Sequence, residues 1–314
     1  MATYLIRRLL ASLLTALLAS IVVFLLVRAV PGDIVAQMLG QAGLDRAAEE
    51  SLRAFFRLDR PLHVQYLDWL GQVLQGDFGR SWNQGRPVMA IVWSAFLVTL
   101  ELGILTLLFA TVIGVPLGLL AGIYEKRLPD NGIQIFNLLG LSAPVFWVGL
   151  MLLVATSTWF FWAPPFRYQS FSQSPFANLE IMLLPVLSLG LLQAAAYGQF
   201  TRQCVVSALH QDYVRTALAK GLPTRRIFFK HILRNILIPL VTFMGLILIQ
   251  ILGGAVVIES LFALPGLGRL LVTSITNRDY PLVQGALLLV VVMAMVINLL
   301  VDLLYHLIDP RLRT

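Results

Sequence analysis

Along this chain, apolar runs free of charge for about twenty positions alternate with short stretches that hold most of the Lys, Arg, Asp and Glu. Six runs are long enough to cross a bilayer as helix, which takes about 20 residues: 9–27, 102–124, 131–159, 181–201, 235–258 and 280–301. Backbone groups in lipid must be satisfied within the segment, so each run is predicted as helix rather than strand. Arg7 and Arg8 precede the first run as they would a signal peptide, but no small-x-small cleavage site comes after it, and the run is too long for a signal core. It is predicted to remain as a membrane helix.

The stretches between the runs set the organisation. Residues 1–30 are the N-terminal end and first helix, 31–95 a helical insertion, 96–308 a five-helix core with a long polar loop at 205–238, and 309–314 a C-terminal tail. In the insertion, Pro31-Gly32-Asp33 ends the first helix, Asp45 caps a short helix through Phe56, and Pro61 opens another. On that helix Val64, Leu67, Trp69, Leu70 and Leu74 gather on one broad side, and Gly76-Asp77-Phe78-Gly79 breaks it. Such a segment serves either as a lid over helix ends or as a docking surface for an external partner.

In the 205–238 loop, Val206, Leu209, Tyr213 and Ala217 recur at helical spacing and predict one helix. Gly221 can take the left-handed conformation that ends it, Pro223 cannot continue it, and Thr224 is placed to cap the next. There Phe228, Ile232 and Ile236 form an apolar stripe, with Arg226, Lys230 and Arg234 opposite. Two short helices with a bend between them suit a lever, because a rigid element transmits displacement that a flexible loop absorbs. The spacing fits equally a plain helix stop at Gly221, with the arginines on phospholipid headgroups.

Composition names the solvent: 58% of residues are hydrophobic, 12% charged, and mean hydropathy is +0.83, whereas about a quarter of a soluble domain is charged. With the N-terminus inside, the inner side carries Arg7, Arg8, Lys126, Arg127, Arg202, Arg215, Lys220, Arg225, Arg226, Lys230, Arg234, Arg311 and Arg313, and the short outer loops only Arg167, Arg269 and Arg278. This asymmetry predicts cytoplasmic termini and makes the net charge of +7 a topology signal. No basic patch is interleaved with exposed aromatics, so nucleic-acid binding is not expected. A single cysteine, Cys204, excludes an internal disulfide and a Cys-based metal framework. The four histidines are scattered, and no H-E-x-x-H or other cluster marks a membrane enzyme.

The basic loop resembles the cytoplasmic coupling loop of permease subunits of ABC importers, and nearly the whole chain is similar to the branch for dipeptides, oligopeptides and nickel chelates. Matching pieces run in order: Arg7-Arg8-Leu9, Pro31-Gly32-Asp33, Leu58-Asp59-Arg60-Pro61-Leu62, Gly76-Asp77-Phe78-Gly79, Thr99-Leu100-Glu101-Leu102 and Gln211-Asp212-Tyr213-Val214-Arg215-Thr216-Ala217 with Gly221. Then come Arg234-Asn235, Phe262-Ala263-Leu264-Pro265-Gly266-Leu267-Gly268, Arg278-Asp279-Tyr280-Pro281 and Asp309-Pro310-Arg311. Where the wider family has Glu-Ala-Ala this chain has Arg215-Thr216-Ala217, a departure usual in the peptide branch. Phe56-Arg57 replaces the glycine common before Leu-Asp-x-Pro.

The resemblance implies a type I ABC importer permease fold with a cytoplasmic coupling helix, in a bacterial inner membrane. It implies a second homologous permease that completes the pore, two cytoplasmic ATPases, and an extracytoplasmic substrate-binding protein. No G-x-x-x-x-G-K-[ST] loop occurs, so ATP and Mg are expected at the ATPases and no cofactor on this chain. The coupling residues implied are Tyr213, Ala217, Gly221, Leu222, Thr224, Arg225 and Arg226.

Polar groups at membrane depth mark a pathway or bond helices together. Glu101 and Glu259 are expected near the outer boundary, capping a turn or pairing with Arg269 or Arg278, while Gln193, Gln199, Gln250 and Asn298 line a cavity or join helices. Pro265 and Gly266 end the fifth run in a turn able to act as an outer gate. Peptide import is the expected function, with nickel-chelate or similar solute uptake as the alternative. A secondary transporter is a more distant one, since no pair of interrupted inverted segments is seen.

Overall fold

The computed structural model describes residues 2–29, 60–165 and 167–308. The expected turn at Pro31-Gly32-Asp33, the helix from Asp45 to Phe56 and the tail at 309–314 lie outside the described residues. In chain order the helices are α1 (Ala2–Ala29), α2 (Leu62–Leu74), α3 (Val88–Ile123), α4 (Leu128–Ser142), α5 (Val145–Trp159), α6 (Pro175–Leu209), α7 (Asp212–Ala219), α8 (Thr224–Ile227), α9 (Leu233–Leu261), α10 (Leu267–Thr276) and α11 (Tyr280–Ile308). A π turn, Phe228–Ile232, joins α8 to α9 as one continuous helix.

Among the described residues five helices are long and apolar enough to span a membrane: α1, α3, α6, the α8–α9 rod and α11. The run expected at 131–159 folds as α4 and α5, bent by 102°, so it makes a sixth span only as a broken one. Pro144 explains the break. A proline lacks the N–H of the helical ladder and pushes its predecessor out of the α region, and Ala143 sits at φ −81, ψ 127. The second span also differs from expectation: α3 begins at Val88 rather than at 102, which places Glu101 inside a helix instead of at its start.

The chain divides into two compact units. In the unit of residues 2–93 with 273–292, α1 holds α2 through aromatic packing: Phe24 lies 5.5 Å from Tyr66 and 5.6 Å from Trp69, and the Tyr66 and Ser20 hydroxyls are 2.8 Å apart. The packed face of α2 is therefore Gln65, Tyr66 and Trp69, and the expected side is only partly used, with Leu67 and Leu74 exposed. An aromatic pair with a polar tip offers more area and a hydrogen bond, so it wins the contact. After α2, Gly76 and Gly79 take positive φ and the Asp77 carboxylate accepts the Gly79 N–H at 2.9 Å. The next loop is pinned where Ser81 Oγ donates to Asp279 at 2.5 Å and Trp82 packs edge-on to Tyr280.

The unit of residues 94–272 with 293–314 is organised around α6. On α3, Gly114, Gly118 and Gly122 form a small-residue stripe at four-residue spacing, against which Ala194, Gly198, Thr201 and Val205 of α6 lie in near backbone contact. A second side of α6 meets α4, where Gly140 faces Ala195 and Arg202 forms a bidentate pair with buried Asp130 at 2.6 and 2.8 Å. The third meets α9: the Tyr197 hydroxyl donates to the Leu240 carbonyl at 2.9 Å, and Phe200 stacks on Phe243 at 4.2 Å. Large apolar side chains such as Leu108, Ile135 and Leu246 remain exposed on these helices, as suits hydrocarbon solvent.

A Cβ at position 118 would land on the Gly198 carbonyl oxygen and 2.5 Å from Thr201 Cβ. Gly118→Val is accordingly expected to lower the thermal-unfolding midpoint of the detergent-purified protein more than Gly132→Val, whose Cβ meets nothing within 4 Å. Overpacking costs about 1–3 kcal/mol, and a backbone obstacle cannot rotate away. Equal midpoints for the two variants would show the stripe to be idle.

Candidate functional site

The 205–238 segment folds as a bent pair of short helices, but with other boundaries than expected. α6 continues to Leu209, so Val206 and Leu209 belong to the long helix, and α7 starts only at Asp212 after a break at His210-Gln211. On α7, Val214 and Ala217 are buried in the core, Tyr213 is half-buried with its hydroxyl shielded and unpartnered, and Arg215, Leu218 and Lys220 are exposed. One side of the helix is thus fixed and the other presented.

Gly221 takes φ +72, and the helix end closes as a Schellman motif: the Gly221 N–H donates to the Leu218 carbonyl at 2.9 Å and the Leu222 N–H to the Ala217 carbonyl at 3.2 Å. No atom lies within 4 Å of a Cβ built at Gly221, so the requirement there is conformational and not steric. Leu222 packs against the core. Pro223, at φ −65 and ψ 139, occupies the cap position expected for Thr224, which becomes the first helical residue and makes no side-chain capping bond. The proline ring favours that extended entry without a polar side chain.

The π turn sets which residues face the core on the far side of the bend. Its wider coil places residues five apart on one side, so Ile227, Ile232 and then Ile236 are buried, with Phe228 packed beside them. Arg225, Arg226, Lys230 and Arg234 are exposed. The elbow therefore has an apolar underside and a cationic outer face.

A second polar constellation lies at the other end of α9. Glu259 is fully buried, and its carboxyl accepts the Thr99 hydroxyl at 2.5 Å and the Arg269 backbone N–H at 3.0 Å. Thr99 Oγ1 in turn accepts the Leu267 N–H at 2.8 Å. Two orphan N–H groups in the first turn of α10 are thus satisfied by side chains from α3 and α9. A Cβ at Gly266 would collide with the Glu259 carboxyl. The expected pairing of Glu259 with the Arg269 guanidinium is replaced: Arg269 meets Glu259 through its backbone, and its guanidinium donates to the Ala263 carbonyl at 2.5 Å.

The profile described as binding-protein-dependent transport system inner membrane component matches residues 114–314, and the profile of that family's N-terminal part matches residues 1–103. The chain belongs to this family. It is a permease subunit of an ABC importer, a class that works with ATPase and substrate-binding partners. The permease is 39% identical over 313 residues to the glutathione transport system permease protein GsiC of Salmonella typhimurium (strain LT2), covering 100% of this chain and 99% of the relative. It is 36% identical over 315 residues to the oligopeptide transport system permease protein AppB of Bacillus subtilis (strain 168), covering 99% of each. Its fold is similar to a chain of the inward-facing MetNI methionine ABC transporter, with a TM-score of 0.54 and 17% identity over 70% of this chain and 97% of that one.

Of the permease's other polar candidates, Glu101 accepts the Tyr168 hydroxyl at 2.9 Å instead of pairing with an arginine. Burial, reinforced by that carboxylate, pushes the Tyr168 phenol above its ordinary range and keeps it a donor. Gln250 lies on an exposed face apart from Glu259, and Pro265 is exposed in the turn. The contacts made by Thr99 and Tyr168 and the pairing of Asp130 with Arg202 are not among the sites expected from the sequence. Among the described residues no group of three or more metal-ligating side chains occurs.

Proposed function

We propose that this permease forms half of the translocation pathway of a peptide importer, its elbow at residues 212–232 receiving the stroke of separate ATPases. The observation that carries the substrate class is the end-to-end match to permeases named for glutathione and oligopeptide transport, at 39% and 36% identity. The pore is completed by a second homologous permease. Two cytoplasmic ATPases with their ATP and Mg sit beneath the pair, and an extracytoplasmic protein delivers the peptide.

The elbow geometry supports the coupling role of Tyr213, Ala217, Gly221, Leu222, Thr224, Arg225 and Arg226. The first turn of α7 carries exposed Arg215 and Asp212, the bend is set by hydrogen bonds, and the apolar underside ties it to α9, so a push on the elbow moves a long helix rigidly. The arginine and lysine asymmetry supports cytoplasmic termini as part of this reading. The Asp130–Arg202 pair joins the start of α4 to the far part of α6, as the reading requires of two helix ends on one side of the membrane.

Reconstitution of the permease with its genomic neighbours in proteoliposomes tests the reading. Uptake of a labelled di- or tripeptide is expected only with ATP, both permeases, the ATPases and the binding protein present. Peptide uptake by the permease alone, or uptake of nickel chelate in preference to every peptide, overturns it.

A further inference from the structure

Three sides of α6 are occupied by α3, α4 and α9, and the fourth carries a ladder of uncharged hydrogen-bonding side chains. Gln199, Gln203 and Ser207 recur at four-residue spacing, and Gln211 continues the series just past the helix end. All four are exposed, and among the described residues none of these side chains has a hydrogen-bond partner. Beside them lies an open cleft of about 460 Å³, lined by Gln203, Ser207, Gln211, Tyr213 and Asn235 over a floor that includes Phe200. That size lies in the range of small-molecule clefts, about 300–1,000 Å³.

Charge makes the cleft distinctive. Arg202, Arg215, Arg225, Arg226, Lys230 and Arg234 crowd this part of the sequence, yet no charged side chain lines the cleft. Amide and hydroxyl groups offer a donor and an acceptor on each side chain, which complements the N–H and C=O of a peptide backbone whatever its side chains. Gln199 lies within the apolar run 181–201, where an unspent polar group is costly against lipid and marks a solute path instead, and Gln203, Ser207 and Gln211 carry the same face on past the inner end of that run. Tyr213 also lines the cleft, its hydroxyl shielded and unpartnered.

We propose that the Gln199–Gln203–Ser207–Gln211 ladder, with Asn235 and Tyr213, is a contact site for the peptide backbone where the pathway passes the coupling elbow. The inference rests on the peptide-importer reading and adds to it a location and a recognition chemistry. The absence of charge is what lets anionic, neutral and cationic peptides pass alike. Because Tyr213 belongs both to the cleft and to α7, movement of the elbow alters the site directly.

The test uses the complete importer in proteoliposomes, with Gln203→Glu in this permease and paired tripeptides of equal length, one containing lysine and one glutamate. The lysine-to-glutamate uptake ratio is expected to rise about fivefold over wild type, the combined attraction and repulsion from one unit charge about 8 Å away in a wet site. The same binding protein serves both complexes, so its own preference cancels. In parallel, saturating tripeptide is expected to slow N-ethylmaleimide labelling of Cys204, which lies in the cleft wall, as read by mass spectrometry of its proteolytic fragment. An unchanged ratio in a complex that assembles and transports overturns the proposal, as does loss of assembly in place of altered selectivity, which would assign the ladder to a subunit interface. Failure of the wild-type complex to import any peptide sinks the importer reading itself, and is seen before any variant is made.

Discussion

Gly221→Val is expected to cut ATP-driven peptide uptake by the reconstituted importer about fivefold or more while leaving the amount of permease in the membrane unchanged. Left-handed backbone costs a side-chain-bearing residue about 1–2 kcal/mol, a factor of roughly 5–30 in the population of the elbow. No atom competes for the Cβ position, so the loss comes from the φ of +72 alone. Gly221→Asn is therefore the informative control, because asparagine tolerates that conformation, and it is expected to keep most of the uptake. Ala217→Asp acts through the other half of the elbow: Ala217 is 7% exposed within the core cluster, and a carboxylate there has no partner to compensate its burial. Uptake and substrate-stimulated ATP hydrolysis are both expected to vanish. Normal uptake by Gly221→Val would reduce that glycine to a helix stop with no part in coupling.

How much of this was legible in the sequence depends on how local each feature is. The apolar runs at 9–27, 181–201, 235–258 and 280–301 lie within the observed long helices, since hydrocarbon burial leaves a mark on every residue of a span. The start of α3 was missed because Trp93, Ser94 and Glu101 interrupt the uniformity that a hydropathy reading relies on. The break at Ala143-Pro144 was present in the sequence as a proline inside an apolar run, but apolarity alone cannot report a bend. Gly221 and Pro223 were read correctly as the turn, whereas the helix starts beside them shifted, since neither His210-Gln211 nor Thr224 carries a strong boundary signal. The five-residue spacing of Ile227 and Ile232 makes sense only once a π turn is known, because a regular helix separates such positions.

The polar sites were legible as residues and illegible as sites. Glu101 and Glu259 stood out as carboxyls at membrane depth, but their partners Tyr168 and Thr99 come from distant parts of the chain. The glycines at 114, 118 and 122 formed a visible four-residue repeat whose meaning depends on what α6 sets opposite them. The Gln199 to Gln211 ladder shows the same limit, since only the filling of the other three sides of α6 reveals that this one is left open.

Glu259→Leu is expected to be the most damaging substitution outside the elbow. In a fully buried position the carboxyl accepts the Thr99 hydroxyl and the Arg269 N–H, and Thr99 accepts the Leu267 N–H, so the first turn of α10 depends on both side chains. Leucine fills the volume but leaves the Arg269 N–H without its acceptor, an orphan costing about 1–3 kcal/mol, and leaves the Thr99 hydroxyl only the Ala95 carbonyl at 3.4 Å. Glu259→Gln keeps one acceptor oxygen and is expected to lie between wild type and leucine. Gly266→Ala reaches the same outcome from the opposite side, because its Cβ collides with the carboxyl while the acceptors stay in place. Hydrogen exchange provides the local readout: the Leu267 and Arg269 amides should lose protection in Glu259→Leu and Gly266→Ala, together with a lower thermal midpoint. Thr99→Val should expose Leu267 more than Arg269, since only the former donates to the threonine. Wild-type protection at both amides in Glu259→Leu would mean that α10 holds its place without the carboxyl, and the clamp would then be a consequence of the packing around it rather than its cause.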